Sequence, residues 1–582
     1  MTNHSRHRFI FGHRVIGGLI LCLFAFGISM PAEAQKRKKK VDEKVYLDHA
    51  DELRYDEFKM PGVQIVKGKV RFHYQDTKLD CDSAYFNQSQ NTFEAFGHVV
   101  MRKQGGITLT CDRAKYDSNT EYFQARKNVV LKQPGRSLYC DSLDYNKGTE
   151  YANYFGEKGG RLVTGKNTVV SKRGEYYLNT HDAHFYDDVV MTSPKYKIET
   201  PTLVYNTETE IAHVSGSSVI TGKKGEVIHT NDGYYNSKTD NMELTGWSTV
   251  NTKERDIEGD HIKYNNVTGE SEGNGRVKIV DKVKDRTITG DHIVYNEKSR
   301  KGNGEGNVLF VDRKNKNSLK AEYFDYTDSL AIAYGKPVVK DYSQKDTLYM
   351  HSDTIRMRSY FVDTDSMYRK VYAYHNVRVY RKDIQAVCGL AVGNSKDSCL
   401  TMYLDPIVWS GERQLLGDSI KAYMNDSTVR EAFVFGRCLS VEKIRDGEHY
   451  NQIASKFMHA FFTEGKLRRS DAIGSVMTIY YPEDDKDSTL IGLNYLETDT
   501  MRMFVSPMRK MEKIWASKSK GTTYPMTQIP ADKKKLPNFA WFDYMRPLDP
   551  DDIYRIVTKK DGVALKRERA IMPPPRQKIH ME

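Results

Sequence analysis

"IEGDHIKYN" occupies Ile257 to Asn265, and "ITGDHIVYN" occupies Ile288 to Asn296, starting 31 residues later. Seven of the nine positions agree. Written as apolar, any, small, acidic, any, aliphatic, any, aromatic, the phrase recurs along the chain. "LDCDSAYF" ends at Phe86, "LTCDRAKY" at Tyr116 and "LYCDSLDY" at Tyr145. "IETPTLVY" ends at Tyr205, "IHTNDGYY" at Tyr235 and "LKAEYFDY" at Tyr326. Degenerate copies end at Tyr55, Phe185, Met357 and Ala422. The aromatic positions advance mostly by about 30 residues, with one long step from Tyr145 to Phe185 and one short step to Tyr205. The stretch "YFGEKGGRLVTGKNTVVSKRGEYY" fills the long step and reads as an extended hairpin. A second mark falls 11 residues after the aromatic, at Gly97, Gly216, Gly246, Gly275 and Gly306. A fixed period of this length marks a repeat architecture.

Each unit reads as β. Apolar residues alternate, as Val70, Phe72 and Tyr74 do in "KVRFHY", and Tyr, Val, Ile and Thr abound between Asn, Asp and Gly punctuation. Ile257 and Tyr264 are seven apart, so a flat strand would turn them to opposite faces. For both to face one core, the strand must bulge or bend between them. Gly259–Asp260 is the expected place, because glycine tolerates bulge dihedrals. The repeated acid is then a corner residue. Recurrence argues against catalysis or metal binding, since a site occurs once.

The ends carry other signals. Arg6, Arg8 and Arg14 precede an apolar run from Val15 to Met30, and "PAEAQ" places Ala32 and Ala34 at the small positions of a cleavage site before Gln35. This is the pattern of a secretory signal peptide. Its removal takes three arginines and one glutamate, moving net charge from +12 to about +10. Export argues against nucleic acid as the acidic partner. Six cysteines follow the cleavage site. Cys81, Cys111 and Cys140 hold one slot in successive repeats. Two strand layers per repeat put them about 10 Å apart, too far for a disulfide. Cys388–Cys399 is the expected pair.

No Ser/His/Asp set, zinc spacing or phosphate-binding loop emerges. His181 and His184 in "THDAHF" are a weak metal candidate, read as surface side chains. The reading is a non-enzyme without cofactor or metal. Leu203, Ile262, Ile293 and Phe324 share one apolar slot. Tyr205, Tyr235, Tyr264, Tyr295 and Tyr326 share another. Stacked repeats turn each slot into a stripe, which is either a packed core or the lining of an open groove.

"GDHIKYN" (259–265), "GDHIVYN" (290–296) and "GNV" (306–308) resemble the repeats of the OstA/LptA family of periplasmic lipopolysaccharide-transport proteins. The resemblance covers about residues 45–440 and extends into 450–506. It implies an all-β fold, an elongated open β-jellyroll or solenoid of ~30-residue repeats, with a smaller C-terminal β-rich module. It further implies that the two stripes bind lipopolysaccharide or lipid A acyl chains. Other transport components, an outer-membrane translocon and end-to-end self-association are the partners it implies, in the periplasm or at the outer membrane. The chain is longer than the family's bridging protein, and it lacks length for the translocon's large barrel. The expected division is a signal peptide (1–34), a basic linker (35–44), repeats (45–445), a second OstA-like module (446–510) and a partly disordered C-terminal extension (511–582). The alternatives are a structural or adhesive cell-surface β-solenoid with a packed core, and a β-helix enzyme acting on polysaccharide.

Overall fold

The computed structural model describes residues 45–558, apart from 75, 88–89, 266, 426–427, 485–486, 488 and 509–510. The signal-peptide and basic-linker expectations lie outside these residues, as does the end of the C-terminal extension. The described chain is all-β. It has thirty-seven strands and four short 3-10 turns near its C-terminus. Two compact units divide it, Met1–Ser271 and Glu272–Glu582.

In the first unit one repeat is two antiparallel strands. The phrase forms one, as in Thr77–Asn87, Ile107–Asp117, Tyr196–Asn206 and Arg255–Asn265. The segment carrying the glycine mark forms the other, as in Thr92–Lys103, Ile211–Gly222 and Asn241–Asn251. Each pairs with its sequence neighbours, so hydrogen bonding is local and repetitive. The asparagine closing the phrase explains the tight turns. The Asn206 side-chain oxygen accepts from the backbone N–H of Glu208 and Thr209 at 3.1 and 2.9 Å. Asn236 and Asn265 do the same for their turns.

In the first unit the repeat strands are broken near mid-length by a bulge. On the glycine-marked strands two residues there take left-handed backbone, as in Gly97–His98 (φ 72° and 43°) and Lys127–Asn128 (φ 60° and 53°). One phrase residue stands opposite the pair, because Phe96 faces Arg113 and Val99 faces Cys111 with only Asp112 between. Beyond the bulge the strand bends, and its two halves become two walls facing each other. Across this interior Tyr196 meets Tyr235 with ring centroids 5.2 Å apart, and Phe72 meets Phe93 at 5.0 Å. The expected corner at Gly259–Asp260 is therefore in the right place. Its cause is different: Gly259 is not left-handed, and the partner strand's Gly246 is, at φ 73°.

The long step also resolves. Tyr145 and Tyr176 both face Ala152, and Tyr176 and Tyr205 both face Ala183. Tyr176 is thus the missing repeat position, 31 residues after Tyr145 and 29 before Tyr205. Phe185, read from the sequence as a phrase terminus, instead lies in the intervening strand Asp182–Thr192. The expected hairpin is present as Tyr151–Thr164 paired with Asn167–Ser171.

The second unit continues the same scheme within itself, from Arg286–Asn296 to Gly492–Val505. Its C-terminal segment then leaves the ladder and packs on the outer surface of one wall. There Leu536, Ala540, Phe542 and Met545 join Ile407, Trp409, Leu416 and Leu439 in a buried cluster. All six described cysteines are free and buried. Burial pushes the thiols of Cys81, Cys111, Cys140, Cys388 and Cys438 up to about 12. The expected Cys388–Cys399 pair is not formed. Cys399 faces Asn394, six residues along the strand from Cys388, or about 20 Å at ~3.3 Å per residue.

Candidate functional site

The inner faces of the two walls are where a ligand could be held, and register assigns every residue on them to a row. In the first unit the row of the first wall runs through Leu109, Leu131, Leu138, Leu162, Val169 and Met191 to Ile198. All of these are buried. The row facing it on the second wall alternates Tyr145, Ala152, Tyr176, Ala183, Tyr205, Ala212 and Tyr235. Strands lie about 4.8 Å apart, so consecutive inward rings would collide. The small residue on every other strand makes room for its neighbours' rings. The interior is filled as a result. A cavity between Leu138, Leu143, Ala152, Leu162, Tyr176 and Phe185 has a volume of about 20 Å³, room for one water and not for an acyl chain.

The mouth of this interior is laced shut by polar side chains. The Arg136 guanidinium donates to the Thr207 carbonyl at 3.0 Å. Asn167 donates to the Tyr205 hydroxyl and to Ser237, both at 3.2 Å. The Tyr235 hydroxyl donates to Asp240 at 3.2 Å, and Lys195 forms an ion pair with the same carboxylate. Burial raises the Tyr205 and Tyr235 phenols above their ordinary range.

The equivalent rows of the second unit are open. On its first wall Ile288, Phe310, Leu319, Val339, Met350 and Val379 align in register, and each is only half-buried. On its second wall Tyr295, Gly302, Tyr326, Ala331, Met357 and Val371 align, and all but Ala331 are half-buried. Phe310 and Phe324 face each other across the gap with ring centroids 6.3 Å apart. Deeper, next to the bulges, Ala333, Ile355, Ala373, Met402 and Ile420 form a buried floor. The slot is thus closed below and open above.

Two arginines stand at its mouth. Burial pushes the Tyr326 phenol up, as do Asp328 and Tyr295, while the guanidinium charges of Arg286 and Arg369 pull it down. Arg286 comes from the first wall, where it pairs with Asp312 at 2.9 Å. Arg369 lies two residues from Val371 on the second wall, facing the same way, and its buried Nε has no hydrogen-bond partner.

The nine residues expected to bind lipid divide between these environments. Leu203, Tyr205, Tyr235 and Ile262 are fully buried in the first unit, and Tyr264 at its last phrase strand is half-buried. In the second unit Ile293 lies on the floor, while Tyr295, Phe324 and Tyr326 are half-exposed lining. The opposite lining of Ile288, Phe310 and Leu319 was missed by the sequence reading, although the same period carries it. The arginines were missed because neither belongs to the phrase's fixed positions. His181 and His184 are not brought together at a metal. His181 meets Glu208 at 3.7 Å, and His184 packs on Tyr177 with centroids 5.0 Å apart. Among the described residues no group of three or more His, Cys, Asp or Glu could hold a metal ion.

The family model described as OstA-like protein matches residues 42–201. Among solved structures the chain is similar to LptH, the LptA-homologous periplasmic component of the conserved lipopolysaccharide transport device from Pseudomonas aeruginosa. That likeness is 13% identity over 30% of this chain and 82% of that one, with a TM-score of 0.09. No curated protein matches the sequence. Residues 42–201 are thus similar to the OstA-like proteins, over less than a third of the chain.

Proposed function

We propose that this chain is a lipid-binding component of lipopolysaccharide transport in the periplasm, holding acyl chains in the half-open interior of its second unit. One observation carries the reading. Rows sealed in the first unit by leucines and tyrosines are half-exposed in the second, lined by Ile288, Phe310 and Leu319 against Tyr295, Phe324 and Tyr326. An apolar slot with a buried floor and two arginines at its mouth suits an acylated anion. The chains would displace water from the slot at about 25 cal/mol per Å² covered, and the phosphates would meet Arg286 and Arg369. In this proposal Leu203, Tyr205, Tyr235, Ile262 and Tyr264 are packed support within the first unit. Docking to other transport components or an outer-membrane translocon, and end-to-end self-association, belong to the same proposal. The exposed terminal strands Tyr46–His49, Glu52–Tyr55 and Met511–Ser517 support it, since each offers backbone for strand addition.

The test compares one substitution in each unit on the same row. Leu319→Asp places a charge in the open slot and should cut binding of fluorescent lipopolysaccharide tenfold or more with little change in Tm. Leu138→Asp places it in the sealed interior, where an unpaired charge costs several kcal/mol, and should unfold the first unit. If Leu319→Asp also collapses the fold, the packed-core structural reading takes over. If it folds and still binds, the slot is not the site.

A further inference from the structure

The two walls of the second unit have very different outer surfaces. The first is covered by the C-terminal segment. No described segment covers the second. Its outward positions, from Thr354–Tyr360 to Gly492–Val505, are crowded with rings. Phe433 stacks on His459 with centroids 4.1 Å apart, Phe435 lies 5.3 Å from Phe457, and Tyr360 stacks on Tyr368 at 4.8 Å. Phe435, Ile473 and, on the next strand, Trp515 are 40–44% exposed. Cations sit over the rings. Arg469 lies 5.0 Å from the Phe461 centroid, Arg502 5.1 Å from Trp515, and Lys421 4.7 Å from Tyr423. The charge balance is one-sided. Arg356, Arg358, Lys370, Lys421, Arg469 and Arg502 face outward here, against the carboxylates of Glu431 and Asp471. Asp471 is itself buried beneath Arg469 and Arg502.

We propose that this aromatic and cationic face docks on an anionic phospholipid surface. Tyrosine and tryptophan favour the headgroup layer, where the ring is apolar and the edge is wet. A guanidinium stacked on a ring is already partly stripped of water, and its five N–H donors leave some for a phosphate even where Asp471 takes others. Lysine is depleted at the centre of a protein–protein interface, whereas here Lys370 and Lys421 stand among the rings. Excess positive charge supplies the attraction to acidic headgroups. Adsorption by this face would leave the mouth of the interior slot, at the wall tips, accessible for cargo.

The test uses the full chain and vesicles free of lipopolysaccharide, so it is independent of the interior slot. Vesicles of phosphatidylglycerol and phosphatidylethanolamine should bind it at least tenfold more strongly than phosphatidylcholine vesicles, with a blue shift of Trp515 emission that Trp515→Phe removes. Phe433→Ser with Phe435→Ser should weaken this binding tenfold or more. Lys421→Gln with Arg356→Gln should do so without touching the packing, which keeps the test decisive if the aromatic variant misfolds. Leu319→Asp should bind vesicles like the parent. Equal binding to both vesicle types, or unchanged binding by the Gln variant, overturns the proposal. So does a stable dimer that shields Trp515 without vesicles, which would make a second copy of the chain the occupant.

Discussion

The aspartate of the repeated phrase does the same local work at one bend after another. Asp112 accepts from the Asn128 amide at 3.0 Å, Asp291 from Asn307 at 2.9 Å, Asp353 from Asn376 at 2.9 Å and Asp418 from Arg437 at 2.9 Å. Asp82 meets His98 at 2.8 Å and holds its imidazole above the ordinary value. In every case the partner is the second left-handed residue of the adjoining bulge. The acid thus ties down a backbone conformation that side chains disfavour by about 1–2 kcal/mol. The first bulge residue is often glycine for a second reason as well. A Cβ on Gly97 would stand 2.2 Å from the Asp82 carboxylate. Gly97→Ala should therefore destabilise the first unit by about 2 kcal/mol or more in urea unfolding. Adding Asp82→Ala should recover part of the loss, because it removes the carboxylate clash and leaves the dihedral cost and a close Cβ at 2.9 Å. Additive losses in the double variant would refute the account. The sequence showed that Asp260 and Asp291 mark corners. It could not show that the strained residues sit on the neighbouring strand, because register is a property of the pair.

Among the elements, the C-terminal segment was the least legible. "LPNFAWFDYMRPLDPDDIY" (536–554) has apolar residues without strand or helix period, and its prolines forbid a ladder. It is held instead by side chains of the wall beneath. Gln414 donates to the Ala540 carbonyl at 2.9 Å and accepts from the Phe542 N–H at 2.7 Å. Gln452 does the same for Lys534 and Leu536, at 3.0 and 2.9 Å. Arg378 donates to the Met545 carbonyl at 3.1 Å, and Arg546 donates to Gln385 at 2.7 Å. Both glutamines are fully buried, so each mimics the edge of a strand for a segment that cannot form one. Gln414→Leu should leave two buried backbone groups without partners, at about 1–3 kcal/mol each. The expected result is selective opening of residues 534–545, seen as faster amide exchange there while the ladder stays protected. Uniform loosening would mean the segment is integral to the wall. A glutamine on the outside of a strand looks like solvent-facing polarity until its partner is known. The misplaced phase at Phe185 has a related origin, since the true repeat strand is interrupted at Lys172, which stands where the phrase has its acid.

At the scale of the whole chain, one repeat builds two kinds of interior. The slots that hold Ala183 or Ala212, and Phe185 or Val214, in the first unit hold Gly302 and Gly304 in the second. Side-chain volume is withdrawn there, and the lacing at the mouth gives way to Arg286 and Arg369. That contrast was present in "KGNGEGNV" (301–308), yet period alone treats glycine as spacing and not as missing volume. The proposed cargo position follows from it. A photo-crosslinking amino acid at Met357, on the half-open row, should capture lipopolysaccharide from a periplasmic extract. The same probe at Tyr234, on the outward side of the first unit, should capture none. At Tyr235, inside the sealed row, it should either disturb folding or stay silent, because a ring that is 2% exposed leaves no path for a lipid. Capture at Tyr235 in a folded protein would mean that the first unit opens in solution and that both interiors carry lipid. Silence at Met357 in protein that still binds lipopolysaccharide would move the cargo out of the slot.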